Sequence, residues 1–301
     1  MVDNFLYSVR HYGTVCNGNR SYYLSRSQLP FLGRMILLMH ETGRTDTLWL
    51  HEALHQAERY HRYYTSGGHH VESIGLERFF DFGPEGSAPP EADSHEKDED
   101  GRGPHDRIKQ YFAAQLKKGG IPDYGAFDEK VLTVTHKDIS LYYDAETDTL
   151  TPKYFDNDRS MRESGFDYSR RFGAVNAAVL DFAPVCLNSL LYQLEMDISA
   201  IHRLLLTGLE GQWDRRAAIR GARIRHYCYD EQDGLFYDYD HVHGRRRKYA
   251  FGTTFLPLWT GLATKEQAKS VAKNGLKRLA VPGGLASSDR EEFDQVGFLT
   301  A

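Results

Sequence analysis

Cysteine is scarce in this sequence, and the little there is can neither staple nor ligate. Cys16, Cys186 and Cys228 lie far apart with no Cys-x-x-Cys pair. That excludes a disulfide framework and a thiolate zinc site and leaves free thiols. Tryptophan is equally rare, at 3 residues against 19 Tyr and 16 Phe. No apolar run approaches the roughly 20 residues needed to span a bilayer. Asp3, Arg10 and His11 interrupt the start of the chain, so it lacks the apolar stretch of a secretory signal. Long basic runs are missing too. The formal net charge is -5, and Arg245-Arg246-Arg247-Lys248 is too short to outweigh it. That cluster reads as a solvated turn after a hairpin. Neither nucleic acid nor a membrane is expected as a partner.

The 301 residues are 41% hydrophobic and 26% charged, enough for a sizeable core in one large domain or two small ones. Aromatics reach 13%. Their faces can stack on pyranose rings, although most aromatic side chains simply fill cores.

Apolar periodicity predicts several helices. One opens at Pro30, carries Leu32, Met35, Ile36 and Met39, and closes at Gly43. A second starts near Thr45-Asp46 and runs toward Gly67-Gly68, and a third covers about 104–119. The clearest spans about 185–207, with Leu187, Leu190, Leu191, Leu194, Ile198, Ile201 and Leu205 at helical spacing, and another follows over about 211–226. The last begins at Thr264, where Gln267 three residues on completes a capping box. Asp233-Gly234, between aromatic arms, predicts a β-hairpin near 227–240. Its acidic residues do not fall at EF-hand offsets. The stretches 82–103 and 150–175 read as long polar connections, the first an acidic, Pro/Gly-containing insertion. Helix, loop and helix recur without a fixed sequence period, which predicts an all-α toroid or solenoid rather than a parallel α/β sheet.

His51-Glu52-Ala53-Leu54-His55 matches a zinc-protease pattern, with His61 where a third ligand would stand. The third ligand fails a physical test. In proteases with that spacing a glycine ends the helix; here the position is Glu58, and no breaker follows up to Tyr64. A continuing helix carries His61 about 9 Å beyond His55 at 1.5 Å per residue, too far for zinc–nitrogen bonds of about 2 Å. Exposed histidines on a charged helix face are expected instead.

Two segments read unlike ordinary surface or core. The first runs from Asn17 to Gln28 (Asn-Gly-Asn-Arg-Ser-Tyr-Tyr-Leu-Ser-Arg-Ser-Gln) and concentrates arginine, amide and hydroxyl donors. Such fixed forks suit a polyhydroxylated ligand, and they suit a helix-capping loop equally well. The second runs from Arg159 to Arg170 (Arg-Ser-Met-Arg-Glu-Ser-Gly-Phe-Asp-Tyr-Ser-Arg), with Asp167 between Phe166 and Tyr168. A carboxyl group between aromatic rings can keep its proton at neutral pH and act as a general acid. A salt-bridged structural loop is the competing reading.

Both segments resemble trehalases of glycoside hydrolase family thirty-seven. Two further stretches, Ala183 to Gln193 and the hairpin Tyr229 to Asp240, match that family in the same order. The resemblance implies an (α/α)6 toroid, here partial, with neither metal nor organic cofactor. It also implies a monomeric enzyme that hydrolyses α,α-trehalose with inversion. Asp167 would be the general acid and Gly165 a backbone contact. Asn17, Arg26, Ser27 and Gln28 would bind the glucosyl units, and Glu91 would stand in the family's Arg-Pro-Glu sugar site. There Pro89 takes the place of the arginine; Cys16 and Leu29 replace flanking prolines, and Phe166 replaces a tryptophan. Gln212-Trp213-Asp214 is no match to the family's later Gln-Trp-Asp signature, because Arg215-Arg216-Ala217-Ala218 follows it; it reads as helix.

An inverting glycosidase needs a base as well as an acid. The resemblance implies that the base glutamate belongs beyond Ala301 and that a glycine-rich segment belongs before Phe5. The expectation is therefore an incomplete chain of one catalytic domain, impaired in hydrolysis, with its location open between cytoplasm and periplasm. A related toroidal α-glucosidase acting on another small glucoside, or a non-catalytic sugar-binding remnant, are the alternatives.

Overall fold

The computed structural model describes residues 1–90, 97, 100–117, 121–123, 132–134, 139–166, 171–173, 175 and 177–289, with 121–123 and 132–134 described by backbone alone. The chain begins with α1 (Val2–Tyr12), which the periodicity above did not single out. Gly13 ends it at φ 83°, donating its N–H to the Val9 carbonyl. Next come α2 (Leu32–Glu41) and α3 (Thr47–Tyr64). Asp46 caps α3 by accepting from the Trp49 amide at 2.8 Å. α4 (Pro104–Lys117) starts on its proline.

α5 (Pro152–Ser164) corrects the reading of 150–175 as a loop. Its end signals are complete: a Thr151 side-chain cap, Pro152 in the first turn and Gly165 in the left-handed region at φ 70°. The body of the helix is what conceals it. Asn157, Asp158, Arg159, Ser160, Glu163 and Ser164 are all buried. A helix that buries polar side chains against polar partners has no apolar stripe to read.

α6 (Val185–Leu204) and α7 (Glu210–Cys228) follow, then the short α8 (Leu256–Trp259) and α9 (Lys265–Leu279). α6 is the central element, packing on α2 and α3 and most extensively on α7. One apolar core gathers Ile36, Leu54, Phe112, Leu191 and Ile198; a second lies around Ile224, Phe236, Leu262 and Val271. The described strands are short and antiparallel and sit in the connections. In the expected hairpin Tyr229 pairs with Phe236 and Asp230 with Leu235, while Tyr227 and Cys228 finish α7. Tyr239 then pairs with both Arg246 and Ala183, tying the chain after the hairpin to the start of α6. The basic cluster there is not wholly solvated, since Arg247 is buried and donates to the Arg171 carbonyl at 3.2 Å. Among the described residues no helix is long and apolar enough to cross a membrane.

The capping box forms as expected. Thr264 Oγ1 accepts from the Gln267 amide at 3.2 Å, and Gln267 Oε1 accepts from the Thr264 amide at 3.0 Å. Thr264→Ala is expected to cost about 1 kcal/mol, read as a lower urea midpoint at unchanged m-value.

Candidate active site

The loop between α1 and α2 is the first component. Its base is closed by the Asn17 amide on the Arg26 carbonyl (3.2 Å) and the Gln28 amide on the Val15 carbonyl (3.0 Å). Inside the loop, a Cβ on Gly18 would stand 2.5 Å from the Tyr23 ring, so only glycine admits that close approach. The Arg26 guanidinium lies 5.0 Å from the centre of the same ring and reaches Asp81 Oδ2 at 3.4 Å. Gln28 turns its side chain outward and donates from Nε2 to the Asn17 carbonyl at 2.7 Å. Its own carbonyl accepts from the hydroxyls of Tyr60 and Tyr64 on α3. Burial raises both phenols well above their ordinary range, so they remain donors.

Ser27 is fully buried. Its hydroxyl donates to the Val15 carbonyl at 3.0 Å and lies 3.0 Å from the Tyr60 hydroxyl, while its amide donates to Glu163 Oε1 at 3.1 Å. Ser27 thus faces into the protein and backs the surface that Asn17 and Gln28 present.

Glu163, at the end of α5, is the second component. The residue is 1% exposed. Besides the Ser27 amide, Oε1 accepts from the Tyr63 hydroxyl at 2.9 Å; Oε2 accepts from His69 Nε2 at 2.8 Å and the Phe80 amide at 2.9 Å. Four donors from four parts of the chain meet one carboxylate. Beside it Asp81, also buried, accepts from Ser25 Oγ at 3.1 Å and the Gly83 amide at 2.6 Å. It pairs with Arg159 of α5 at 3.5 Å.

Arg171 is the third component. Its guanidinium grips Asp238 with Nε to Oδ2 at 2.6 Å and Nη2 to Oδ1 at 2.8 Å, a bidentate pair. The rings of Phe166, Phe172 and Phe251 surround it at 5.1, 4.6 and 5.0 Å. Burial opposes the Arg171 charge, but Asp238 outweighs it and holds the guanidinium above its ordinary pKa. Asp238 also accepts from the Val185 amide at 2.9 Å, at the start of α6.

Of the residues expected to bind sugar, the structure gathers Asn17, Arg26, Ser27 and Gln28 into one loop and bonds that loop to α5 two residues before Gly165. Gly165 is exposed, and a Cβ there would meet nothing within 4 Å. Its left-handed φ is what favours glycine. Asn17 and Gln28 line a cavity of about 520 Å³ whose other walls, among them Phe5, Phe31 and Met35, are apolar. Asp167 and Glu91 lie outside the described residues. Asp81, His69, Tyr63 and Asp238 were not anticipated in these roles. Each is an ordinary residue in sequence, and its partner is 55 or more residues away.

The zinc pattern resolves as its spacing predicted. α3 runs unbroken through His61, and His51 and His55 are exposed. His61 is the exception to an exposed face: it is buried, with Nε2 2.9 Å from Glu195 Oε1. Gln212-Trp213-Asp214 lies in the first turns of α7, as expected.

The sequence model of the family described as Trehalase matches residues 1–295. The cytosolic neutral trehalase of Beauveria bassiana is 33% identical over 99% of this chain and 40% of its own length. That of Saccharomyces cerevisiae is 33% identical over 95% and 37%. The chain therefore spans about two fifths of the length of these relatives. The solved neutral trehalase of S. cerevisiae superposes with a TM-score of 0.74 at 30% identity, covering 96% of this chain and 50% of that one. The architecture is the expected partial (α/α)6 toroid.

Proposed function

We propose, from the premise that this chain belongs to the trehalase family, that the full-length protein hydrolyses α,α-trehalose to two glucoses with inversion. The observation that carries this reading is the hydrogen bond from the Ser27 amide to Glu163. It locks the polar loop Asn17–Gln28 to the helix end that leads into Gly165 and Asp167. Asn17 and Gln28 contact the glucosyl units from the surface of that loop; Arg26, buried beside Asp81, is assigned to the same contact from below, with Ser27 behind. Glu91 and the Gly165 backbone complete the sugar contacts.

Asp167 protonates the bridging oxygen as the C1–O bond breaks. A water attacks C1 from the opposite ring face and gives its proton to a second carboxylate, and the two carboxyl groups stand about 6.5–9.5 Å apart in such enzymes. No residue described above is assigned as that base. The named relatives are called cytosolic, and a cytosolic location is read for this protein as well.

Inversion at one anomeric carbon of an α,α-linked disaccharide yields one β-glucose and one α-glucose. Proton NMR during the first minutes of trehalose cleavage is expected to show equal amounts of both anomers. Release of α-glucose alone would exclude inversion. Cleavage of another small glucoside with no glucose from trehalose would overturn the substrate.

A further inference from the structure

We propose that Glu163 is a positioning residue for the sugar-binding loop, a role that rests on reading Asn17–Gln28 as the glucosyl contact. The loop's internal bonds fix its shape but not its place. Its place depends on contacts to the frame, and the one made by the loop's own backbone amide ends on Glu163. The same carboxylate takes donors from α3 (Tyr63), from the turn after α3 (His69) and from the extended chain at Phe80. Its four donors lie 136, 100, 94 and 83 residues from it in sequence. One side chain therefore registers four segments distant in sequence against the end of α5.

The hydrogen-bond inventory makes the role sharp. An ionised carboxylate only accepts, and both oxygens here face donors. His69 fits as the tautomer with hydrogen on Nε2, since its Nδ1 is buried with no partner among the described residues. A glutamine in place of Glu163 would turn an NH₂ group toward one pair of donors. The Tyr63 hydroxyl can rotate to accept. The backbone N–H of Ser27 or Phe80 cannot, so in either orientation one backbone donor is left facing another. The remaining bonds also lose the strength that an ionised acceptor confers. The loop then loosens, and substrate binding suffers before bond cleavage does.

The test is trehalose kinetics of the full-length protein with Glu163→Gln, together with amide hydrogen exchange over residues 25–28. The expected result is a KM raised about tenfold, kcat within about threefold, and faster exchange at 25–28 but not in α6. A structural role alone would lower the melting temperature and leave KM within twofold; that outcome, or a fall in kcat at unchanged KM, overturns the proposal. If Glu163→Gln does not fold, Tyr63→Phe removes a single donor. A KM raised about three- to tenfold supports the role, and an unchanged KM overturns it. A wild-type protein that neither binds nor cleaves trehalose sinks the glucosyl-loop reading first. Wild-type turnover with unaffected variants sinks only the role of Glu163.

Discussion

Asp167→Asn in the full-length protein is expected to lower kcat for trehalose about a thousandfold, with KM little changed. The leaving group is a sugar hydroxyl, which departs as an alkoxide unless it is protonated in step with bond cleavage, and a positioned acid supplies about 10²–10⁴ in rate. Described residues close to Asp167 in sequence are firmly held. On one side Glu163 is clamped by four donors, and Gly165 turns the chain off α5. Phe166, on that same side, packs edge-on to Phe251 at 5.3 Å; on the other side Arg171 is fixed by Asp238. Asparagine keeps the shape and removes the proton. A substrate that needs little protonation separates this role from a structural one. With α-glucosyl fluoride the variant is expected to keep most of its turnover. Equal losses on trehalose and the fluoride would show that Asp167 is not the acid.

Legibility in the sequence followed the kind of partner each helix has. α6 packs on hydrocarbon, so Leu187, Leu191, Leu194, Ile198 and Ile201 could be read at helical spacing and are buried as expected. α5 packs on polar groups, and its stripe of Asn157, Arg159, Ser160 and Glu163 looked like loop. Only its end signals, Thr151-Pro152 and Gly165, were visible. The loop Asn17–Gln28 stood out in the sequence, because twelve residues with hardly an aliphatic side chain are unusual. Its placement did not. The bonds that seat it run to Tyr60, Asp81 and Glu163, and no local pattern encodes a hydrogen bond across 136 residues. His61 shows the same limit from the other side. Its spacing ruled it out as a third zinc ligand, but nothing in α3 told that it turns inward to Glu195.

That inward turn leads to the largest expected effect on stability. Arg220→Met is expected to cost about 3–5 kcal/mol at pH 7, as removal of one partner from a buried charge cluster does. Arg220 is buried on α7 and donates from Nε to Glu195 Oε1 at 3.0 Å, and from Nη1 to Glu77 and to Asn188 Oδ1 (3.3 Å). His70 and His61 stand behind the two glutamates at 3.2 and 2.9 Å. Burial pushes both glutamates up; Arg220 first, and then the histidines, more than offset it, so both lie below the ordinary 4.5. Depressed carboxylates contribute stability that is fully present above the unfolded pKa and lost as pH falls through the folded values. Burial is the largest single influence on both groups and raises them, so without Arg220 they are expected to shift upward past 4.5. Acid therefore removes a stabilising contribution from the wild type and a penalty from the variant. Urea unfolding is expected to show the deficit widest at pH 7, narrowing as the pH falls toward 4.5 while the variant's glutamates protonate, and narrowing further below 4.5 as the wild type loses its own contribution. A deficit constant from pH 7 to pH 4 would mean that Arg220 acts by filling space, its charge contributing nothing to the fold.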